Sequence, residues 1–198
     1  MAKNILLLMA LEAEMGAENI AAIGQRCDVR FTGMGKLNAF EATMKALAEG
    51  EYDYIVNVGT CGSFRHPFGS VLHPSAAWQG DVYIDLEGLF FTPAEQLGTG
   101  DDGCAIVSSD NFIGDDTPER QRTLLAPYNC MDMEAYAVVR AARLHATLRG
   151  EEAPTIYMAK VVSDGCDGSI GDWESRIVSL RPKVRSAAEE IIDAIEKL

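Results

Sequence analysis

Ile156-Tyr-Met-Ala-Lys-Val-Val-Ser-Asp164, followed by Gly165-Cys-Asp-Gly168, is the stretch from which the rest of the chain is read. The apolar run from Ile156 to Val162 predicts a buried strand. It ends in Ser163, Asp164 and a Gly-rich turn, with polar loop to about Asp172. Open α/β sheets bind ligands outside the carboxyl ends of their strands, so a carboxylate at this point stands where chemistry is done. Asp and Ser also form Asx-turns and helix caps, and Gly165 suits that reading too. What separates the two readings is the company this strand end keeps.

Working outward, the same pattern recurs. Asn4 to Met9 predicts a first buried strand, and Glu12 to about Ile23 a helix rich in Ala and Glu. Arg30 to Thr32 is a short strand ending in Gly33-Met-Gly35. Leu37, Phe40, Met44 and Leu47 recur every three or four residues, which predicts an amphipathic helix over Lys36 to Glu49, stopped by Gly50. Tyr54 to Val58 is the next strand and breaks at Gly59-Thr-Cys-Gly62. Val71 to Trp78 and Val82 to Ile84 read as strands around a Gly80-Asp81 turn, and Gly88 to Gly103 as loop. Cys104 to Ser108 is a short strand running into Ser109-Asp-Asn-Phe-Ile113. Thr117-Pro118 starts a short helix. Asn129 to Met131 leads into Asp132-Met-Glu-Ala-Tyr136 and a helix to about Leu148. Ile177, Leu180, Val184, Ala188, Ile191, Ile195 and Leu198 mark a terminal amphipathic helix that Pro182 breaks or kinks. Strands alternating with helices predict an α/β fold, with a mostly parallel mixed central sheet covered by helices on both faces. At 198 residues without repeat or linker, residues 1–198 form one domain.

Composition narrows the function classes. A net charge of −13 repels phosphate backbones, which argues against a nucleic-acid polymer as partner. No apolar run is long enough for a transmembrane helix, so no membrane partner is expected. Glu12 and Glu14 follow the first apolar run at once, which favours a buried strand over a signal peptide. Five scattered cysteines without CxxC spacing read as reduced thiols, mostly buried, in a cytoplasmic protein. His66, His73 and His145 show no metal-ligand spacing, and neither a metal nor a cofactor is expected.

Three acidic residues, Glu14, Glu134 and Asp164, lie at three different strand ends. Converging carboxylates can protonate a leaving group, activate water and stabilise a cation-like sugar, the set that cleavage of a glycosidic bond requires. A Glu can also accept from both hydroxyls of a ribose, and Phe112 can stack on a flat base. Each has a plainer alternative. Glu14 and Glu134 lie near predicted helix starts, where carboxylates favour the dipole. Phe112 could be core, and Gly33 and Gly35 ordinary turn glycines. Gly33-Met-Gly-Lys36 is no phosphate loop, and Asn38 stands where a dinucleotide fingerprint needs its third Gly. Cys61 has no partnered His to make it a nucleophile.

Taken together, Met9-Ala-Leu-Glu-Ala-Glu14, Gly33-Met-Gly-Lys36, Asn57-Val-Gly-Thr-Cys-Gly62, Ser108-Ser-Asp-Asn-Phe-Ile113, Asp132-Met-Glu-Ala135 and Val162-Ser-Asp164 resemble, in order, the motifs of the nucleoside phosphorylase/nucleosidase family. Within it the chain is most similar to the methylthioadenosine/S-adenosylhomocysteine nucleosidases and to futalosine hydrolases. The resemblance implies a three-layer αβα sandwich, a homodimer, and hydrolysis of the N-glycosidic bond of a 5′-modified purine nucleoside. By the same resemblance Asp164 is the acid that protonates N7 of the base, with Ser163 orienting it, and Glu14 activates water. Met133 and Glu134 hold the ribose, Phe112 stacks on the base and the Ile113 backbone reads its edge. Thr60, Cys61 and Gly62 line the site. Lys160 stands where the nucleosidases usually carry an Arg that helps to place the water. The phosphorylases generally have an Arg just before the Gly-Thr-Cys-Gly turn, where this chain has Asn57-Val58, so water is expected as nucleophile. A phosphorylase and a non-catalytic nucleoside-binding module are the alternatives.

Overall fold

The computed structural model describes residues 3–82, 94–167 and 173–198, with the side chains of 173 and 174 excepted. The first strand, β1 (Ile5–Met9), is apolar at every position and buried at every position. That is the signature of a strand covered on both faces. Alternation along it divides the core in two. Leu6 and Leu8 join one hydrophobic cluster, while Ile5, Leu7 and Met9 join another.

Helices supply the two outer layers. On the first face lie α2 (Lys36–Glu49), through Ala39, Ala46 and Leu47, and α4 (Ala135–Arg149), through Val138, Val139 and Ala142. On the second lie α1 (Ala17–Ile23), through Ile23, and α5 (Trp173–Glu196), through Leu180, Val184, Ala188, Ile192 and Ile195. Pro182 does not break α5, which runs as one helix across it. A proline removes a single helix hydrogen bond, and the buried stripe on either side of it keeps both halves on the sheet.

The remaining strands are β2 (Asp28–Phe31), β3 (Tyr54–Gly62), β4 (Val71–Leu72), β5 (Ala76–Gln79), β6 (Glu95–Gln96), β7 (Ala105–Ser108), β8 (Cys130–Asp132) and β9 (Thr155–Asp164). They order as β2-β1-β3-β8-β7-β5-β6, with β9 against both β3 and β4. Pairings β1–β2, β1–β3, β3–β9, β5–β7 and β7–β8 are parallel, and β3–β8, β4–β9 and β5–β6 antiparallel. The sheet is thus mixed and mostly parallel, with helices on both faces. A short helix, α3 (Glu119–Leu125), packs Leu125 against Val107 and Met131 beyond the sheet's end.

Several elements differ from the sequence reading. The expected strand Val71 to Trp78 is two strands with different partners, β4 on β9 and β5 on β7, separated by His73-Pro74-Ser75. Pro74 has no amide to give a ladder, which marks the crossing. The expected loop Gly88 to Gly103 contains β6, while residues 83–93, including most of the expected Val82 to Ile84 strand, lie outside the described residues. The helix expected from Glu12 is interrupted. Glu12–Glu14 is a single 3-10 turn, Gly16 takes φ +81, and α1 starts only at Ala17. Lastly, β3 and β9 run further than expected. They stay paired past the predicted turns to Gly62 and Asp164, with an irregularity between Cys61 and Gly62.

Candidate active site

The extension of β3 and β9 places Thr60, Cys61, Gly62, Ser163 and Asp164 on strand rather than loop. These strand ends form the floor of a pocket. Its lining also includes Glu14, Met34, Phe112, Ile113, Met131, Asp132, Met133, Glu134 and Cys166. All the residues that the sequence pointed to therefore meet in one place, with Lys160 the exception.

Glu14 reaches the pocket because the 3-10 turn folds it back over the end of β1. Its Oε1 accepts from the Thr60 amide (2.7 Å) and the Thr60 hydroxyl (2.8 Å), and its Oε2 from the Leu11 amide (3.1 Å). A regular helix from Glu12 would not present the side chain in this way, which gives the Gly16 interruption its purpose. Asp164 is held as firmly. Ser163 Oγ donates to Oδ2 (2.8 Å) and the Cys166 amide to Oδ1 (3.0 Å). Cys166 takes φ +57, the left-handed conformation that aims its amide back at the carboxylate.

Two glycines leave room for these carboxylates. A Cβ on Gly59 would stand 2.8 Å from Glu14 Oε1, and one on Gly62 would stand 2.8 Å from Asp164 Oδ1 and 2.7 Å from Cys166 Sγ. The glycines of the Gly-Thr-Cys-Gly run thus permit close approach, and the groups approaching are the chain's own acids.

Glu134 stands at the N-cap position of α4 without capping it by its side chain, and is 7% exposed. Its Oε1 accepts from the Gly35 amide at 2.8 Å. Burial pushes its carboxyl up to about 7, Asp132 adds to this, and Lys160 and the Gly35 amide oppose it. Asp132 sits behind it. Its Oδ1 accepts from Ser108 Oγ (2.6 Å), and its Oδ2 from the Ala135 amide (3.0 Å) and from Lys160 Nζ (2.9 Å). Lys160 is buried and does not line the pocket. Asp132, between β8 and α4, takes up its ammonium, so Lys160 is bonded behind the pocket lining rather than presented into it.

The rim is built from the Gly33–Gly35 loop and the segment after β7. Lys36 Nζ bridges Asp81 (2.5 Å) and Asp110 (2.9 Å), and the Lys36 amide donates to Asp110 Oδ1 (2.7 Å). This cluster ties the segment carrying Met34 to the segment carrying Phe112, and both side chains line the pocket. Phe112 is 37% exposed, so its face is open to a ligand rather than spent in the core. No Lys, Arg or His lines the pocket among the described residues, whereas four carboxylates do. Burial pushes the Cys61 thiol up, with Cys130 adding to it, and an un-ionised thiol is a poor nucleophile. All five cysteines are free.

Sequence reasoning missed Asp132, Met34, Cys166 and the Gly35 amide. Asp132 and Gly35 lay inside quoted motifs, but only tertiary contact shows what they hold. No signal in the sequence marked Cys166.

No protein-family model and no curated protein matches the chain. Solved structures do. The 5′-methylthioadenosine/S-adenosylhomocysteine nucleosidase of Helicobacter pylori superposes with TM-score 0.74 at 16% identity, covering 100% of this chain and 99% of that one. The corresponding nucleosidase of Neisseria meningitidis, in complex with methylthio-immucillin-A, gives 0.71 at 17%, covering 99% and 100%. Futalosine hydrolase of Helicobacter pylori gives 0.72 at 15%, covering 100% and 99%. Over its whole length, the chain has the fold shared by these nucleosidases and futalosine hydrolase.

Proposed function

We propose that this protein is a purine nucleosidase that hydrolyses the N-glycosidic bond of a 5′-modified purine nucleoside, of the methylthioadenosine/S-adenosylhomocysteine or futalosine type. The observation that carries the reading is the meeting of Glu14, Glu134 and Asp164, from three separate strand ends, in one pocket beside the open face of Phe112. In this reading the base stacks on Phe112, with its edge against the Ile113 backbone. Asp164, oriented by Ser163, gives a proton to N7, so that the base departs neutral. The sugar develops positive charge, which the surrounding carboxylates stabilise. Glu14 takes a proton from water as it attacks the anomeric carbon. Glu134 accepts from the ribose hydroxyls, with Met133 against the sugar, and Thr60, Cys61 and Gly62 form the floor.

Water rather than phosphate is the nucleophile in this reading. A pocket lined by four carboxylates and by no cation among the described residues holds a phosphate dianion poorly. A cytoplasmic homodimer belongs to the same reading. Met34 and Leu37, 56% and 77% exposed beside the pocket rim, are apolar surface that a second copy would cover.

The test is a panel of nucleosides (methylthioadenosine, S-adenosylhomocysteine, a futalosine-type nucleoside, adenosine and inosine), each with and without phosphate and scored for free base. Release without phosphate is expected. Release only with phosphate would make the protein a phosphorylase. Binding without release would make it a nucleoside-binding module.

A further inference from the structure

Lys160 is buried at 2% exposure in the middle of β9 and does not line the pocket. Its partner is Asp132, and Asp132 is separated by one residue from Glu134. We infer that Lys160 is a positioning residue whose buried ammonium, held in place by Asp132, offsets the Asp132 charge at Glu134, and so helps to set the pH above which the pocket accepts a pair of sugar hydroxyls. The hydroxyl-binding part of this rests on the proposed nucleosidase reading. The coupling of Lys160 to Glu134 does not.

The geometry forms one continuous chain. Lys160 Nζ lies 2.9 Å from Asp132 Oδ2. Asp132 is fixed on its other side by Ser108 Oγ at 2.6 Å, and Ser108 Oγ in turn accepts from the Tyr136 amide at 2.9 Å. The Ala135 amide donates to Asp132 Oδ2, which locks the first turn of α4 and with it the backbone of Glu134. Glu134 is aimed across the pocket at the Gly35 amide. The charged groups acting on Glu134 are therefore Asp132 from β8, Lys160 from β9 and Glu14 from the 3-10 turn, with the Gly35 amide as a donor. Burial pulls the Lys160 ammonium toward neutrality, but Asp132, Glu134 and Glu14 together hold it above the ordinary lysine value. It is thus a cation acting on a carboxylate that burial pushes up to about 7. Of the two side chains in the ion pair, one favours the ionised Glu134 and the other opposes it.

This arrangement makes a prediction that a purely structural role does not. Removing either partner of the pair should move Glu134 in opposite directions. The experiment follows the side-chain carboxyl carbon of Glu134 by NMR in ligand-free protein labelled at glutamate, with assignment by Glu134→Gln. Lys160→Met should raise the midpoint by about one unit, Asp132→Asn should lower it, and the double variant should return it toward wild type. Shifts of the same sign, or no shift, would overturn the coupling. If Lys160→Met does not fold, Asp132→Asn and the double variant still decide the point, since the first must lower the midpoint and the second must undo most of that change.

The same variants are then assayed for kcat/KM against pH with 5′-methylthioadenosine, using Lys160→Arg as the conservative control. The acid limb should move with the NMR midpoint, up for Lys160→Met and down for Asp132→Asn, and stay near wild type for Lys160→Arg. A limb that stays put while the NMR midpoint moves would show that Glu134 ionisation does not govern binding. If the wild type releases no base from any nucleoside of the panel, the nucleosidase reading fails, while the NMR result still decides the coupling.

Discussion

Replacing Gly62 by Ala isolates the acid at the end of β9 without changing any polar group. The backbone of Gly62 needs no left-handed conformation, so the cost of a side chain there is contact alone. Its new Cβ would stand 2.8 Å from Asp164 Oδ1 and 2.7 Å from Cys166 Sγ, whereas ordinary contact begins at 3.4 Å. The carboxylate must therefore retreat by about 0.6 Å, within the range of a rotamer adjustment costing about 1 kcal/mol. The thiol must give by slightly more. Overpacking of this kind destabilises by about 1–3 kcal/mol, which a domain of this size tolerates. The effect on turnover should be larger. Misplacing a reacting group by about 1 Å costs on the order of 100-fold, so a loss of about 30- to 100-fold in kcat is expected. The assay pairs base release from 5′-methylthioadenosine with a urea unfolding curve. Turnover within about twofold of wild type, in a protein that folds, would refute the claim that close packing on Gly62 sets the position of Asp164.

Other predictions concern the remaining groups. Asp164→Asn should remove most turnover and leave nucleoside binding, measured by calorimetry, largely intact, and near-normal turnover would remove Asp164 from the role of acid. Glu14→Gln should slow hydrolysis by about 100-fold or more, because the amide cannot take a proton from water; unchanged rates would mean that water is activated elsewhere. Phe112→Ala should raise KM by roughly tenfold, the worth of one lost stacking face, with a smaller change in kcat. Glu134→Gln tests linkage. The folded carboxyl, raised to about 7 from 4.5, contributes stability that is complete below 4.5 and lost as pH rises through 7. The variant should accordingly be the more stable protein at pH 8, by up to about 3 kcal/mol, and lose that advantage by pH 4. Urea unfolding at the two pH values measures it, and an advantage at pH 4 instead would reverse the sign of the argument.

The sequence by itself determined the layers and the region of the site. Runs such as Ile5 to Met9 and Ile156 to Val162 are apolar at nearly every position, and only a strand covered on both faces uses such a run. The three- and four-residue spacing of α5 fixes which side of that helix faces the sheet, whereas in α2 the buried face is Ala39, Thr43, Ala46 and Leu47, and Leu37 of the expected stripe is 77% exposed. Because parallel strands carry their ligands at their carboxyl ends, the acids there could be picked out before any contact was known. What only the tertiary structure decided depends on partners far apart in sequence. The helix expected from Glu12 gave way to a 3-10 turn because Glu14 bonds to Thr60, 46 residues away. The predicted turns at Thr60 to Gly62 and Ser163-Asp164 became strand because each lies alongside the other, which no local propensity encodes. Val71 to Trp78 divided because its two ends found different neighbours. Lys160 looked like a pocket residue by its place in a motif, yet its buried ammonium is taken up by Asp132 at the end of β8 and does not itself line the pocket. Local pattern fixes burial and periodicity, but the pairing of buried charges is set by which strands the fold brings side by side.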